Sequence, residues 1–565
     1  MRFFKKIRVF ALLLLFGLSL SLVYSFTRDY FAISKNLDIF NAIYRELNMS
    51  YVDETRPGKL MKTGIDAMLN SLDPYTVYFT EDDLEEYKYI TTGEYGGIGA
   101  SVLEIKGQYF VDEPREGFTA FKAGIRAGDR IVSINGNVLE GKNYEAISGL
   151  LRGNAGTAIR LKIMKPGSQT AKEYNLMREE IKSPAVPYFT LLPDGKTGII
   201  KLVSFTENCS AEVKATFLDL KSKGCTRLIL DLRGNLGGLL HEAVNIVNLF
   251  IDKGQEVVFT KGRVQEWDRS YLAVHNPLDT AIPLLVMVDE NSASASEIVS
   301  GALQDLDRAV ILGKRTYGKG LVQQTRDLVY EAKVKITVAK YYIPSGRCVQ
   351  ALDYSQRDAN GRVEKVPDSL VTAFKTKGGR IVYDGAGISP DVAVKEVPMK
   401  ETVAALLGKF YVFNYATLYA TRHPVLRDSG NFELNQEEYK DFLAYLKAEE
   451  FSYKTRMETE MEKIKEEAIE TSGFETIRNE YDVFMAKLKI EKDNELLQSE
   501  KEIRKILTEE IISRYYFQKG RLAYAMRNDE QINQSLELIN NETEISSILT
   551  RKEKPNKPFN AAKKF

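Results

Sequence analysis

At 565 residues the chain is too long for a single hydrophobic core, and its length predicts about three to four domains. Lys+Arg and Asp+Glu both total 78, so the formal net charge is zero, which gives no support to a general nucleic-acid-binding role. Three cysteines (Cys209, Cys225, Cys348) and three histidines (His241, His275, His423) stand far apart. They form no Cys-x-x-Cys or His-Glu-x-x-His spacing, so no disulfide framework, metal or other cofactor is expected. His241 follows a glycine-rich turn on an apolar helix, where a packing or surface role is expected. With histidine so scarce, a nucleophile in this chain needs a base other than imidazole.

Residues 1–29 read as an uncleaved signal anchor. Arg2, Lys5, Lys6 and Arg8 precede the apolar stretch from Val9 to Phe26, and no small-residue cleavage signal follows. Basic flanks stay cytoplasmic, which predicts an extracytoplasmic location for the remainder, the periplasm in a Gram-negative bacterium. Residues 30–88 are read as helical, with Phe31, Leu37, Ile39, Phe40, Ile43, Tyr44 and Leu47 at helical spacing and a second helix around Lys59 to Leu72. A packing and linking role is expected there.

Residues 89–181 turn rich in glycine and β-branched side chains. Gly96 to Val102 opens an alternating strand, and AGIRAGDRIVSING (Ala123 to Gly136) gives a turn, a strand and an Asn-Gly hairpin signal. Tyr144 to Leu151 is a short amphipathic helix, and Ala158 to Met164 another strand. This run resembles a PDZ domain. In such a domain a glycine-rich loop, here Gly97, Ile98, Gly99 and Ala100, presents backbone N–H groups to a peptide's C-terminal carboxylate, and the strand edge beside it adds the peptide as a further strand. The plainer alternative for these glycines is a tight turn.

Residues 182–400 alternate strands and helices, an α/β pattern whose chemistry is expected at strand C-terminal ends. Leu228 to Leu232 is a buried strand that leads into the turn Arg233 to Gly238. A second apolar strand, Ile282 to Val288, leads into Ser292, Ser294 and Ser296, after which a helix begins near Glu297. Lys319 follows between Gly318 and Gly320. A strand that turns sharply into a helix exposes unpaired N–H groups at the helix start. Ser294-Ala-Ser-Glu297 fits a capping box, in which the serine only satisfies the helix end. The same hydroxyl, with an amine beside it, has the parts of a Ser/Lys hydrolase.

Residues 401–550 are read as helical, with solvated charged faces around Glu449 to Lys505 and apolar recurrence through Ile503 to Tyr516 that admits coiled-coil pairing or a homo-oligomer. The Lys/Pro tail, residues 551–565, is expected to be disordered.

The chain resembles the carboxyl-terminal processing protease (tail-specific protease) family from about Tyr51 to Val394. The resemblance is carried by SLDPYT, AGIRAGDRIVSING, LILDLRGNLGG, SASASEI, GALQDLDRAVILGKRTYGKGLVQ, YYIPSGR and GISPDV in that order. It implies a multidomain α/β fold: a crotonase/ClpP-like catalytic domain with an inserted-type PDZ domain and flanking helical regions. It also implies a serine endopeptidase that acts on protein or peptide substrates with free C-termini. Ser294 matches the nucleophile, Lys319 the base 25 residues further on, and Gln323 a residue that orients the lysine. In an extended stretch Lys319, Leu321 and Gln323 share a face. Ala295, directly after the nucleophile, is positioned to supply one oxyanion N–H, and Gly237 or Gly238 matches the position of the other. Asp305 matches an aspartate for which a structural role is at least as well motivated. Two competing readings are a catalytically silent PDZ peptide-binding adaptor and a crotonase-like acyl-CoA enzyme. The complete Ser294, Lys319 and Gln323 set counts against the first, and the PDZ run and export segment against the second.

Overall fold

The computed structural model describes residues 30–357, 362–366, 368–395, 398–427, 431–471 and 473–551. The expected signal anchor at 1–29 lies outside them, as does all but the first residue of the expected disordered tail. Among the described residues no helix is long and apolar enough to cross a membrane. The chain divides into two compact units. One comprises residues through Thr80 together with Gln323–Thr337, and the other comprises Glu81–Val322 and everything from Val338 onward.

The smaller unit holds helix α1 (30–50), helix α2 (Pro57–Asn70) and strand β1 (Val77–Phe79). Proline starts α2 because the first helical position needs no N–H donor. The Leu-Asp-Pro-Tyr turn is closed by Asp73 Oδ1, which accepts from Tyr75 N and Thr76 N at 2.8 Å each. β1 then pairs antiparallel with Lys333–Lys335.

In the larger unit, α3 (Leu84–Thr92) and β2 (Glu94–Gly97) precede a PDZ-type sheet. Its elements are β3 (Ala100–Ile105), β4 (Gln108–Pro114), α4 (Thr119–Lys122), β5 (Arg130–Ile134), β6 (Asn137–Val138), α5 (Tyr144–Leu151), β7 (Ala158–Met164) and β8 (Ala171–Met177). β9 (Glu179–Lys182) returns to pair with β2. The sheet order is β3-β4-β5-β7-β8, with β3 at an edge and β6 beside β5. Ile159, Leu161 and Ile163 of β7 are buried and alternate with exposed neighbours, the period-2 pattern of a half-covered strand. Asn135 and Gly136 have φ of 50° and 83°, as a two-residue hairpin turn demands.

The α/β region follows as β10 (Tyr188–Leu191), β11 (Thr197–Lys201), α6 (Cys209–Ser222), β12 (Arg227–Asp231), α7 (Leu240–Asn248), β13 (Glu256–Gly262), β14 (Arg269–Leu272), β15 (Leu284–Val288), α8 (Ala295–Asp305) and β16 (Val310–Gly313). β17 (Leu321–Asp327) and β18 (Lys333–Tyr342) come next. The main sheet runs β10-β11-β12-β15-β16 and ends on Val392–Ala393. It is parallel from β11 onward, with β10 antiparallel at the edge. A parallel sheet needs cover on both faces, which is why its strands read as unbroken apolar runs. Leu228, Leu230, Leu284 and Val286 pack in one core with residues of α6, α7 and α8, while Ile229, Leu285 and Met287 belong to a second core.

The C-terminal helices follow, α9 (Glu401–Gly408), α10 (Tyr411–Arg422), α11 (Gln436–Ala448), α12 (Arg456–Glu470), α13 (Phe474–Gln498), α14 (Glu500–Arg527), α15 (Glu530–Asn540) and α16 (Glu542–Thr550), and the second cover comes from the end of α14 with α15 and α16. Ile532, Leu538 and Ile539 of α15 pack in the same core as Ile229, Leu285 and Met287. The recurrent apolar residues Ile503, Leu507 and Ile511 are buried among α10 and α11 side chains of this same chain, so that repeat needs no partner strand. α14 breaks at Phe517 (φ 51°), whose ring meets Phe121 of α4 edge-on at 5.1 Å. Nearby, Arg521 pairs with Glu113 at 3.2 Å.

Candidate active site

The local fold tells the three serines apart. Ser292 is buried, donates to the Leu232 carbonyl (2.9 Å) and accepts from Asp289 N (2.9 Å). Ser296 is buried and donates to the Asn235 carbonyl (2.8 Å). Both hydroxyls brace one loop against another. Ser294 is only half-buried, and its hydroxyl makes no hydrogen bond among the described residues. It sits at the turn from β15 into α8 with φ 56° and ψ −112°, a conformation that costs a non-glycine residue about 1–3 kcal/mol. Ser294 and Glu297 stand in the capping-box arrangement, but only its glutamate half is a hydrogen bond: Glu297 Oε2 accepts from Ser294 N at 2.8 Å, while Glu297 N donates to the Ser294 carbonyl.

Glu297 has a second task that its place in a capping box conceals. The same Oε2 accepts from Lys319 N at 2.8 Å, and Oε1 accepts from Gly318 N (2.7 Å) and the Thr316 hydroxyl (2.6 Å). One fully buried carboxylate thus holds the backbone of Ser294 and of Lys319. Tyr341, also buried, places its hydroxyl 2.6 Å from the Lys319 carbonyl and 3.1 Å from the Ser294 carbonyl, so both residues are gripped from two directions. Lys319 itself is half-buried. At Gly318, with φ 88°, a Cβ would lie 2.4 Å from Ala351 Cβ, so the glycine is required by close approach and not merely by loop flexibility.

Burial pushes the Glu297 carboxyl up to about 7, against the lowering pull of Thr316 and of the Lys319, Ser294 and Gly318 N–H groups. All four partners are donors, and burial outweighs their pull toward the ionised form. A folded-state pKa above the unfolded value of 4.5 means that native Glu297 holds its proton longer than the unfolded chain does. Its contribution to stability is therefore complete below about pH 4.5 and lost as pH rises through about 7, a change of roughly 3 kcal/mol. The unfolding free energy of the native chain relative to Glu297→Gln is expected to fall across that window. Urea unfolding of both proteins at about pH 5 and about pH 8 measures it, and a pH-independent difference contradicts it.

The glycine turn after β12 is organised by Asn235. Its Nδ2 donates to the Leu202 carbonyl (2.9 Å), its Oδ1 accepts from Gly237 N (2.9 Å), and its carbonyl accepts from Ala293 N (3.0 Å). Gly237, at φ 98°, brings the turn against the Ser294 loop; a Cβ there would stand 2.8 Å from Ser294 Cβ. Of the two glycines expected to donate to an oxyanion, Gly237 has its N–H engaged by Asn235. The Gly238 and Ala295 N–H groups have no acceptor among the described residues. Before the turn, Asp231 is fully buried between Arg233 (2.8 Å) and Lys201 (3.2 Å). Against the opposing effect of burial, these cations hold its carboxyl below the usual range.

The remaining expected residues fall as follows. Gln323 belongs to the smaller unit, where its Nε2 donates to Thr337 Oγ1 at 3.2 Å. Asp305 pairs with the buried Arg347 (2.8 Å) and accepts from Ser345 N (3.0 Å), a structural arrangement. The His241 side chain is 61% exposed. All three cysteines are unpaired, and among the described residues no His, Cys, Asp or Glu cluster could hold a metal. In the PDZ region, Gly97 ends β2, Ala100 begins β3, and Ile98 and Gly99 link them. Ile98 packs in the domain core. The loop thus opens onto the edge strand of the sheet. Glu297, Tyr341 and Asn235 escaped the sequence reading as site residues; only Glu297 carried a signal there, and it pointed to a helix cap.

Sequence comparisons define the class. Residues 196–355 match Peptidase family S41, residues 110–165 match a PDZ domain, and residues 402–539 match the family described as "Probable PDZ-protease, C-terminal helical domain". The chain is thus a mixed α/β serine peptidase with PDZ and C-terminal helical domains. It is 36% identical over 322 residues to the carboxy-terminal-processing protease of Bartonella bacilliformis, covering 56% of this chain and 73% of that one. It is likewise 36% identical over 317 residues to a probable CtpA-like serine protease of Staphylococcus aureus, covering 56% of this chain and 62% of that one. Among solved structures, a photosystem II D1 C-terminal processing protease is 28% identical with a TM-score of 0.34, covering 63% of this chain and 92% of the other. The chain belongs to the carboxy-terminal-processing protease family.

Proposed function

We propose that this chain is an endopeptidase that cleaves extracytoplasmic proteins near their C-termini through a Ser294/Lys319 dyad, from a membrane anchor at residues 1–29. The observation that carries the reading is the single oxygen of Glu297 that accepts both the Ser294 and the Lys319 N–H. It joins the two residues within a crotonase-like α/β catalytic domain. The PDZ domain captures the substrate's free carboxylate at Gly97 to Ala100 and lays the adjacent peptide along β3, an edge strand with a free side for pairing.

A serine hydroxyl needs a base to become a useful nucleophile. Neutral Lys319 takes the proton from Ser294 Oγ as Oγ attacks the scissile carbonyl carbon. The carbonyl oxygen becomes an oxyanion, which Ala295 N–H and Gly238 N–H receive. As the tetrahedral species collapses, the lysine ammonium gives its proton to the leaving amine, and an ester to Ser294 remains. Water, deprotonated by the again neutral lysine, hydrolyses that ester and restores the serine.

The delivery step is tested with an unfolded substrate prepared with a free and with an amidated C-terminus. Amidation is expected to lower kcat/KM at least tenfold, since a carboxylate held by backbone N–H groups contributes more than about 1.4 kcal/mol. Equal cleavage of both forms contradicts carboxylate capture.

A further inference from the structure

The end of α14 and the start of α15 reach the catalytic turn. Arg233, two residues after buried Asp231, spreads its guanidinium between two carboxylates from distant parts of the chain. Nε and Nη2 grip Asp231 at 3.0 and 2.8 Å. Nη1 meets Asp529 Oδ2 at 2.8 Å and Gln531 Oε1 at 3.1 Å. Lys201 Nζ donates to the Arg233 carbonyl at 2.6 Å and pairs with Asp231. The cluster therefore balances two cations against two anions, and Asp529 supplies the second anion from the C-terminal helical region.

Resting on the Ser294 reading above, we propose that Asp529 and Gln531 are positioning residues for catalysis, holding the Arg233–Gly238 turn in register with Ser294. The turn has no regular secondary structure to stiffen it. It is tied at the Arg233 carbonyl by Lys201, at Gly234 N by Asp289 Oδ1 (2.9 Å), and at Asn235 by its own side-chain bonds. The Arg233 side chain anchors the strand-side end of this loop, and its outer nitrogen is satisfied by α15. Gly237 then packs directly on Ser294, and Gly238 follows with the N–H assigned to the oxyanion. Without the Asp529 charge the cluster carries an uncompensated positive charge in a mostly buried place, and Arg233 must shift to find water. A displacement of about 1 Å in a donor that must meet a developing oxyanion can slow the chemical step about a hundredfold.

Asp529 is also the N-cap of α15, where its Oδ1 accepts from Gln531 N (2.8 Å) and Ile532 N (3.2 Å). Alanine would remove both functions, so the informative variants keep the cap. Asp529→Asn retains an acceptor for the helix N–H groups and loses the charge; Asp529→Ser caps equally well and is too short for Arg233. Gln531→Ala removes only the 3.1 Å contact.

The test is steady-state cleavage of an unfolded reporter protein by the full chain, with circular dichroism and thermal unfolding as fold controls and Ser294→Ala as the activity control. Asp529→Asn and Asp529→Ser are expected to lower kcat at least fivefold while KM stays within about twofold, and Gln531→Ala to act in the same direction more weakly. A helix cap with no catalytic role would move the unfolding temperature and leave kcat alone. A kcat reduced less than fivefold in folded Asp529→Asn and Asp529→Ser, or a loss confined to KM, overturns the proposal. If Ser294→Ala cleaves as fast as the native chain, the Ser/Lys reading has failed instead. If Ser294→Ala is inactive and the Asp529 variants are not impaired, only the positioning role falls.

Discussion

Ser294→Ala is expected to lower peptide cleavage by roughly 10^4- to 10^6-fold, the loss associated with deleting the nucleophile of a hydrolase that retains its oxyanion donors. The same change should leave the fold intact. The hydroxyl makes no hydrogen bond among the described residues, and alanine fits the space the serine already occupies. The residual strain at φ 56° is shared by both side chains. Ser292→Ala and Ser296→Ala are informative contrasts. Each removes a buried hydroxyl that braces the Ser294 loop against the glycine turn, and each is expected to act through stability, by about 1 kcal/mol for one lost hydrogen bond, since the Leu232 and Asn235 carbonyls keep the Asn235 and Ala293 N–H groups as donors. Cleavage rates on an unfolded reporter, normalised to folded protein, separate the two kinds of effect. Activity in Ser294→Ala comparable to the native chain contradicts the assignment of the nucleophile.

Lys319→Ala is expected to slow cleavage by about 10^3-fold, within the range for a positioned general base. Lys319→Arg should be no better, because a guanidinium does not give up its proton near neutral pH and so cannot accept one from Ser294. Backbone placement at 319 is independent of the side chain, since Glu297 and Tyr341 hold the N–H and the carbonyl. Neither variant therefore needs to disturb the loop. In the proposed dyad serine and lysine act as one unit, so the double variant is expected to be about as slow as Ser294→Ala alone. Rates for the four variants and the native chain decide this, and near-native cleavage by Lys319→Arg removes lysine from the role of base.

Much of this site can be read in the chain because its signals are local. A strand, a sharp turn with small residues and a helix start within a few positions mark Ser294, and flanking glycines mark Lys319. What the chain conceals is contact between distant segments. Glu297 sits where a helix cap belongs and makes a cap bond, so nothing local discloses that its carboxylate also holds Gly318 and Lys319. Asp529 caps α15, while its other oxygen meets Arg233 from the far end of the chain. The unbroken apolar strands require a sheet covered on both faces, yet periodicity does not say which helices provide the second cover. The role of α15 in that core emerges only once the chain is folded. Conversely, the Asn-Gly hairpin was legible because a few adjacent residues determine it.

The most direct measurement is reaction of the purified chain with a serine-directed phosphonate, followed by intact mass and peptide mapping, in the native protein and in Lys319→Ala. One phosphonate per chain, located on Ser294 and at least a hundredfold slower to form in Lys319→Ala, is the expected result. Labelling at Ser292 or Ser296, or labelling of Ser294 at the same rate without the lysine, would contradict the Ser294/Lys319 dyad.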